Sequence, residues 1–251
     1  MGTSVHVGIM EDGSEVAVKR ILLQSSEEAA ENEKKILSLI ETKKSPFIVS
    51  YRNFLKDATF MYLIVDLCEE TLKEHVESKT IEHLRQYGPR MIKEILRGLE
   101  FLHDQGILHR DLKPLNVLVD IEGHMRLADF GISRVLNEDE TTVQTDGKGT
   151  EGWMPVEVIE SRNQRKKGRF KKKSDVQVAG MIAFYILTKG VHPFGSALYN
   201  RMMNILNGNP VNLGILNKDL EAKMFVHLLI RHNITDRPYA FEALAHSFMV
   251  Q

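Results

Sequence analysis

The sequence predicts an α+β fold, a small antiparallel sheet early in the chain followed by a larger, mainly helical remainder. Apolar residues first alternate in the strand manner: Val5, Val7 and Ile9 share a face, and Val16, Val18 and then Ile21 resume beyond a turn at Asp12-Gly13. From Pro89 to Gln105 the spacing changes, with Ile92, Ile95, Leu96, Leu99 and Leu102 recurring at three and four residues, so that a helix buries one face. Between Val178 and Leu187 a nearly continuous apolar run, interrupted by Gly180, predicts a buried helix that is far too short for a membrane span.

Composition narrows the class. The 251 residues are 43% hydrophobic and 27% charged, the balance of an ordinary soluble globular chain, with a net charge of −1. That charge supplies no global field towards nucleic acid or membrane, so neither is predicted as a partner. The single cysteine, Cys68, excludes an internal disulfide framework and fits a reducing, cytoplasmic compartment. No basic-then-apolar leader opens the chain, and Met1-Gly2 lacks the Ser or Thr that myristoylation wants where His6 stands. The local exception is a run of eight basic residues from Arg162 to Lys173. It reads first as a solvated insertion, with nuclear import or docking of phosphate-rich partners as alternatives.

Taken in order, the second strand carries Val16-Ala17-Val18-Lys19, a cation set between apolar neighbours. Ser25-Ser26-Glu27-Glu28 predicts a helix start, with hydroxyls able to cap and carboxylates near the positive end, and the helix continues through Ala29, Ala30, Ile36, Leu37 and Ile40. Four glutamates on it could face Lys19: Glu27, Glu28, Glu31 and Glu33. Strands are expected at Phe47–Phe54 and Thr59–Asp66, joined by a turn around Lys56–Ala58. Gly106 ends the long helix that follows. Directly after it comes His109-Arg110-Asp111-Leu112-Lys113-Pro114-Leu115-Asn116, a carboxylate, two cations and an amide within eight residues. The short alternating run Met125–Arg126–Leu127 then leads into Asp129-Phe130-Gly131, a carboxylate at a strand end with a hinge behind it. Phosphoryl transfer needs this inventory: an acidic group for the attacking hydroxyl's proton, a cation for the phosphate, and oxygen donors for magnesium. A polar stretch runs from Asn137 to Gly147, and a helix over 239–249 closes the chain.

These motifs resemble the H-R-D-L-x-x-x-N, D-F-G and V-A-I-K elements of eukaryotic protein kinases, in the same order. The resemblance implies a bilobal fold, with an N-lobe over residues 1–67 and a C-lobe over 68–251. It implies ATP and Mg²⁺, and a protein substrate offering Ser or Thr hydroxyls, to which Lys113 and Thr150 point. Asp111 is the implied catalytic base, Lys113 the phosphate-facing cation, and Asn116 and Asp129 the metal ligands. Lys19 faces the phosphates and pairs with a helix glutamate, for which Glu33 in Asn32-Glu33-Lys34-Lys35-Ile36-Leu37 best matches the family pattern. Around adenine the resemblance sets Val5, Ala17 and Leu118, with Val65 at the back of the pocket and backbone groups of Asp66 and Cys68 as hydrogen-bonding partners. Gly2 stands for the third glycine of the phosphate-covering loop, the earlier glycines and first strand falling outside this chain. Arg110 could engage a phosphothreonine, for which Thr141, Thr142 and Thr145 are candidates and Ser133 a weaker one, while Thr150 is expected beside Asp111 and Lys113. Asp175 is expected to bind the backbone of the catalytic loop, and Arg237 to pair with Glu157.

Within the kinases, Gly149-Thr150-Glu151-Gly152-Trp153, His192-Pro193-Phe194-Gly195 and Asp66-Leu67-Cys68 followed by Glu-Thr-Leu are similar to the inositol-requiring kinase/endoribonuclease and oligoadenylate-dependent ribonuclease family. That likeness implies stress signalling by trans-autophosphorylation within a homodimer. No ribonuclease activity is expected of these residues. The competing class is a nucleotide-binding, dimerising, pseudokinase-like module with little catalysis.

Overall fold

The computed structural model of the chain describes residues 3–41, 45–137, 141–145, 147–164 and 168–250. It opens with β1 (Thr3–Ile9), β2 (Glu15–Leu22), α1 (Leu23–Glu41), β3 (Tyr51–Lys56) and β4 (Phe60–Asp66). The strands form an antiparallel sheet in the order β1-β2-β4-β3. Gly13, at φ +84°, closes the predicted hairpin in a backbone region that suits glycine, its N–H donating to Met10 O. Val5 pairs with Lys19 and Val7 with Ala17. Cross-strand partners share a face, so these valines stand on the same side of the sheet as the lysine.

α1 starts two residues before the expected Ser25, because β2 runs into it without a loop. Leu23 N–H, one of the donors that a serine cap would otherwise have to satisfy, bonds Thr59 O at 3.0 Å, and Leu23 packs beside Ile21, Ala30 and Met61. β3 likewise begins at Tyr51 and not at Phe47. Residues 47–50 turn away to meet the other half of the molecule: Leu127 N–H donates to Phe47 O, Val49 N–H donates to Leu127 O, and Ile48 and Val49 are buried.

Past the sheet come β5 (Glu70–Thr71), α2 (Leu72–Ser78), α3 (Ile81–Asp104), β6 (Ile107–Leu108), β7 (Val117–Val119), β8 (Met125–Leu127), β9 (Arg134–Val135) and β10 (Val143–Thr145). The chain finishes with α4 (Val156–Asn163), β11 (Gly168–Phe170), α5 (Lys172–Leu187), α6 (Leu198–Leu206), α7 (Leu220–Leu229), α8 (Ala240–Leu244) and α9 (Ser247–Val250). α3 begins at Ile81, well before the expected Pro89. Thr80 Oγ1 accepts His83 N–H to start it, and the helix absorbs the proline because Leu84, Met91 and Ile92 are all buried. Gly88 permits this approach: a Cβ there would meet Leu187 at 3.1 Å. α5, buried from Ser174 to Leu187, is the axis around which α3, α7 and α8 pack. The single closing helix expected over 239–249 is broken at Ala245 and His246, where His246 Nδ1 accepts Phe248 N–H and Phe248 packs on Phe225. Among the described residues no helix is long and apolar enough to cross a membrane.

Candidate active site

The His109–Asn116 motif lies between β6 and β7 and is tied down from beneath by α5. Asp175, fully buried, accepts the N–H groups of His109 and Arg110 at 3.0 Å each, and lies 3.0 Å from His103 Nε2. Arg110 takes a left-handed backbone, φ +70°, a conformation that costs a non-glycine residue energy and that these anchors hold. Pro114–Asn116 forms one 3₁₀ turn, which brings the Asn116 side chain back onto the loop: its Nδ2 donates to Asp111 O at 2.8 Å and to Asp111 Oδ2 at 3.1 Å. That orients the amide oxygen of Asn116 away from Asp111.

The Asp111 carboxylate is the centre of a tight group. Lys113 Nζ lies 2.7 Å from its Oδ2, Thr150 Oγ1 donates to its Oδ1 at 2.7 Å, and Lys113 Nζ reaches Thr150 Oγ1 at 2.6 Å. Across from it, Lys19 projects from β2 and contacts Glu33 of α1 at 2.7 and 3.0 Å and Asp129 at 3.1 Å. Burial disfavours the charge on Lys19, but the carboxylates of Glu33 and Asp129 outweigh it and hold its ammonium above the usual lysine value. Burial also works against ionising Asp129, and Lys19, His109 and Lys113 overcome it, so this carboxyl sits below its ordinary range. Asp129 has φ +66°, a second left-handed residue in the cleft. Of the four candidate glutamates, Glu33 is the one on Lys19. Glu27 and Glu31 contact Lys56 on the outer side, and Glu28 lies 3.7 Å from Arg134.

A family model described as "Protein kinase domain" matches residues 1–249. The chain belongs to the protein kinase domain family. Its kinase fold is an antiparallel-sheet N-lobe with a mostly helical C-lobe. It is 35% identical to the serine/threonine-protein kinase/endoribonuclease IRE1 of Oryza sativa subsp. japonica, with 98% of this chain and 29% of that protein aligned. Human serine/threonine-protein kinase/endoribonuclease IRE2 is 32% identical, with 98% and 27% aligned. The Caenorhabditis elegans kinase/endoribonuclease ire-1 is 34% identical, with 82% and 21% aligned. The chain therefore spans less than a third of the length of these relatives.

The remaining predicted kinase positions fall as follows. Val65 and Ala17 are paired neighbours on β4 and β2, and Leu118 sits on β7 opposite Arg126 and Thr71. Val5 is 65% exposed on the cleft-side face of the outer hairpin. Asp66 N–H is committed to Ser50 O. Cys68 is half-buried, and burial pushes its thiol up to about 11, so it is no nucleophile at neutral pH. Gly2 lies outside the described residues, as does the side chain of Thr145. Arg110 is buried, donating to Ile132 O at 3.1 Å with Phe170 beside it. Thr141 stands apart, on the rim of a cavity of about 840 Å³ whose lining includes Gly106, Lys172 and Tyr239. Ser133 is fully buried, its Oγ donating to His109 O. In the C-lobe, the Arg237 guanidinium meets Glu157 at 3.1 and 3.2 Å. Sequence reasoning missed Asn32, whose amide reaches from α1 to the segment after Asp129, and nothing in its local pattern marks it.

Proposed function

We propose that this chain transfers the γ-phosphoryl group of ATP, with Mg²⁺, to Ser or Thr hydroxyls of a protein substrate, its lobes over residues 1–67 and 68–251 closing on the nucleotide. The observation that carries the reading is the 3.1 Å contact between Lys19 and Asp129, which joins the cation of the sheet to the carboxylate of the helical half in one cleft. Asp111 accepts the proton of the attacking hydroxyl. Lys113, bonded to both Asp111 and Thr150, neutralises charge growing on the transferred group. Lys19, kept in place by Glu33, bonds the non-transferred phosphates.

The donor set fits magnesium. Asp129 is held ionised, and Asn116 has its amide nitrogen engaged and its oxygen left to ligate. Among the described residues no cluster of three or more His, Cys, Asp or Glu could cage a metal alone. A magnesium site of one or two protein oxygens, completed by substrate phosphates and water, needs no such cluster. Held there by Asp129 and Asn116, Mg²⁺ would supply positive charge to neutralise the phosphates. Val65 and Leu118 bound the adenine pocket, with Ala17 and Val5 on the face that covers it, and the Asp66 carbonyl and Cys68 N–H supply its polar edge.

The experiment is phosphoryl transfer from γ-labelled ATP to a Ser/Thr-containing protein, run alongside thermal shift. Transfer should require Mg²⁺, and Asp129→Asn should abolish the magnesium-dependent part of the shift. A Mg-ATP shift without transfer would identify a nucleotide-binding module instead.

A further inference from the structure

Asn32 precedes Glu33 on α1 and plays no part in the chemistry described so far. Its Nδ2 lies 2.9 Å from Phe130 O, 3.2 Å from Gly131 O and 3.0 Å from Ser133 O. An amide has two N–H donors, so three carbonyls about 100 residues downstream share them. At the other end of the amide, Arg134 donates to Asn32 Oδ1 at 3.1 Å, which fixes the nitrogen towards the carbonyls. Arg134 also donates to Ser133 O and lies 3.7 Å from Glu28, one turn earlier on the helix. Between these contacts α1 comes close to the backbone: a Cβ added at Gly131 would stand 3.6 Å from the Ala29 Cβ. Next to Asn32 on the helix, Glu33 holds Lys19 at 2.7 and 3.0 Å. Two consecutive helix residues thus face different partners, Asn32 the carbonyls of Phe130, Gly131 and Ser133, and Glu33 the Lys19 ammonium.

We propose that Asn32 is a positioning residue that latches α1 to Phe130–Arg134 and thereby keeps Glu33 on Lys19. The proposal rests on the phosphoryl-transfer reading for its kinetic consequence, although the latch itself is a contact between segments. The chemistry is specific to an amide, because one group must donate to carbonyls and accept from a guanidinium. Asparagine does both, alanine neither, and aspartate would set oxygens against oxygens. Losing the latch lets α1 swing, and misplacing a catalytic group by an ångström is enough to slow a reaction about a hundredfold.

The test combines kinetics with hydrogen exchange on Asn32→Ala, Asn32→Asp, Glu33→Gln and the Asn32→Ala/Glu33→Gln double variant. Asn32→Ala should lower kcat by about ten- to a hundredfold with a much smaller change in KM for the protein substrate, and Asn32→Asp should lower it further. Acting through Glu33, it should add nothing to Glu33→Gln, so the double variant should turn over no more slowly than Glu33→Gln alone. Amides of 130–134 should exchange at least about tenfold faster in Asn32→Ala while those of α3 keep their protection. Wild-type kcat in Asn32→Ala, single effects that multiply in the double variant, or unchanged exchange at 130–134 would each overturn the proposal. If Asn32→Asp does not fold, Arg134→Ala attacks the same latch from its other end and should show the same exchange change. If the wild type transfers no phosphoryl group, the catalytic reading fails, and the exchange experiment still decides whether Asn32 latches the helix.

Discussion

The hairpin β1–β2 and the helix α5 are built on opposite terms. Val5, Val7 and Ile9 are 65%, 66% and 76% exposed on the outer strand, whereas every residue of α5 from Ser174 to Leu187 is buried. The first region is a thin cover that presents Lys19. The second is a core that fixes Asp111 by holding its loop through Asp175. Their difference teaches where rigidity is spent. The loop that carries Asp111 and Lys113 hangs from the most buried helix, and the exposed apolar face of the outer strand rests on little besides its hydrogen-bonded neighbour.

Substitutions can break that contrast. The largest expected effect on stability is in the helical half, at Arg237, whose guanidinium is fully buried against Glu157 and the carbonyls of Arg231 and His232. Arg237→Ala strands a carboxylate in a poorly solvated site and should cost on the order of 3–5 kcal/mol in urea denaturation. A cost below about 1 kcal/mol would place this pair among exposed ones.

A smaller effect is written into pH. Burial pulls His192, which packs edge-on against Trp153, down from 6.5 to about 2. The unfolded chain takes up this proton near pH 6.5 and the folded one does not, so stability is complete above 6.5 and falls as the pH drops towards 2. At pH 5.5 the loss from this group should be about 1.4 kcal/mol relative to neutral pH, and His192→Asn should remove it. An unaltered difference between pH 7.5 and 5.5 in the variant would assign the loss to other groups.

The smallest effect on stability should be at the hairpin. Val7→Thr, on an exposed face, should change the unfolding free energy by less than about 0.5 kcal/mol. It should still reduce the Mg-ATP thermal shift if that face covers the nucleotide, and a full-sized shift would take Val7 out of the cleft.

The same contrast explains what was legible in the sequence. Contiguous motifs carry their own geometry: Asp111, Lys113 and Asn116 converge because one 3₁₀ turn folds eight residues onto themselves, and that compactness is visible in the letters. The contact of Lys19 with Glu33 needed the family pattern to choose among four carboxylates, since helical periodicity alone leaves several on an inward path. Element boundaries failed where tertiary packing overrode a local signal. Pro89 reads as a helix start, yet burial of Leu84 and Met91 against the core carries α3 past it. Residues 47–50 read as strand, yet they bond to Leu127 and tie the two halves together. α2 was legible and overlooked: Thr71 and Glu74 form a capping box, the Thr-x-x-Glu spacing that marks a helix start. Asn32 was not legible at all, because its partners lie across the cleft.

The most direct test of the whole account is γ-phosphoryl transfer from Mg-ATP by the wild-type chain and by Asp111→Asn, with thermal midpoints measured on both. The account predicts transfer by the wild type, a rate lower by about 10²–10⁴ in the variant, and unchanged midpoints. Equal transfer by the two proteins would contradict the role given to Asp111 and, with it, the mechanism.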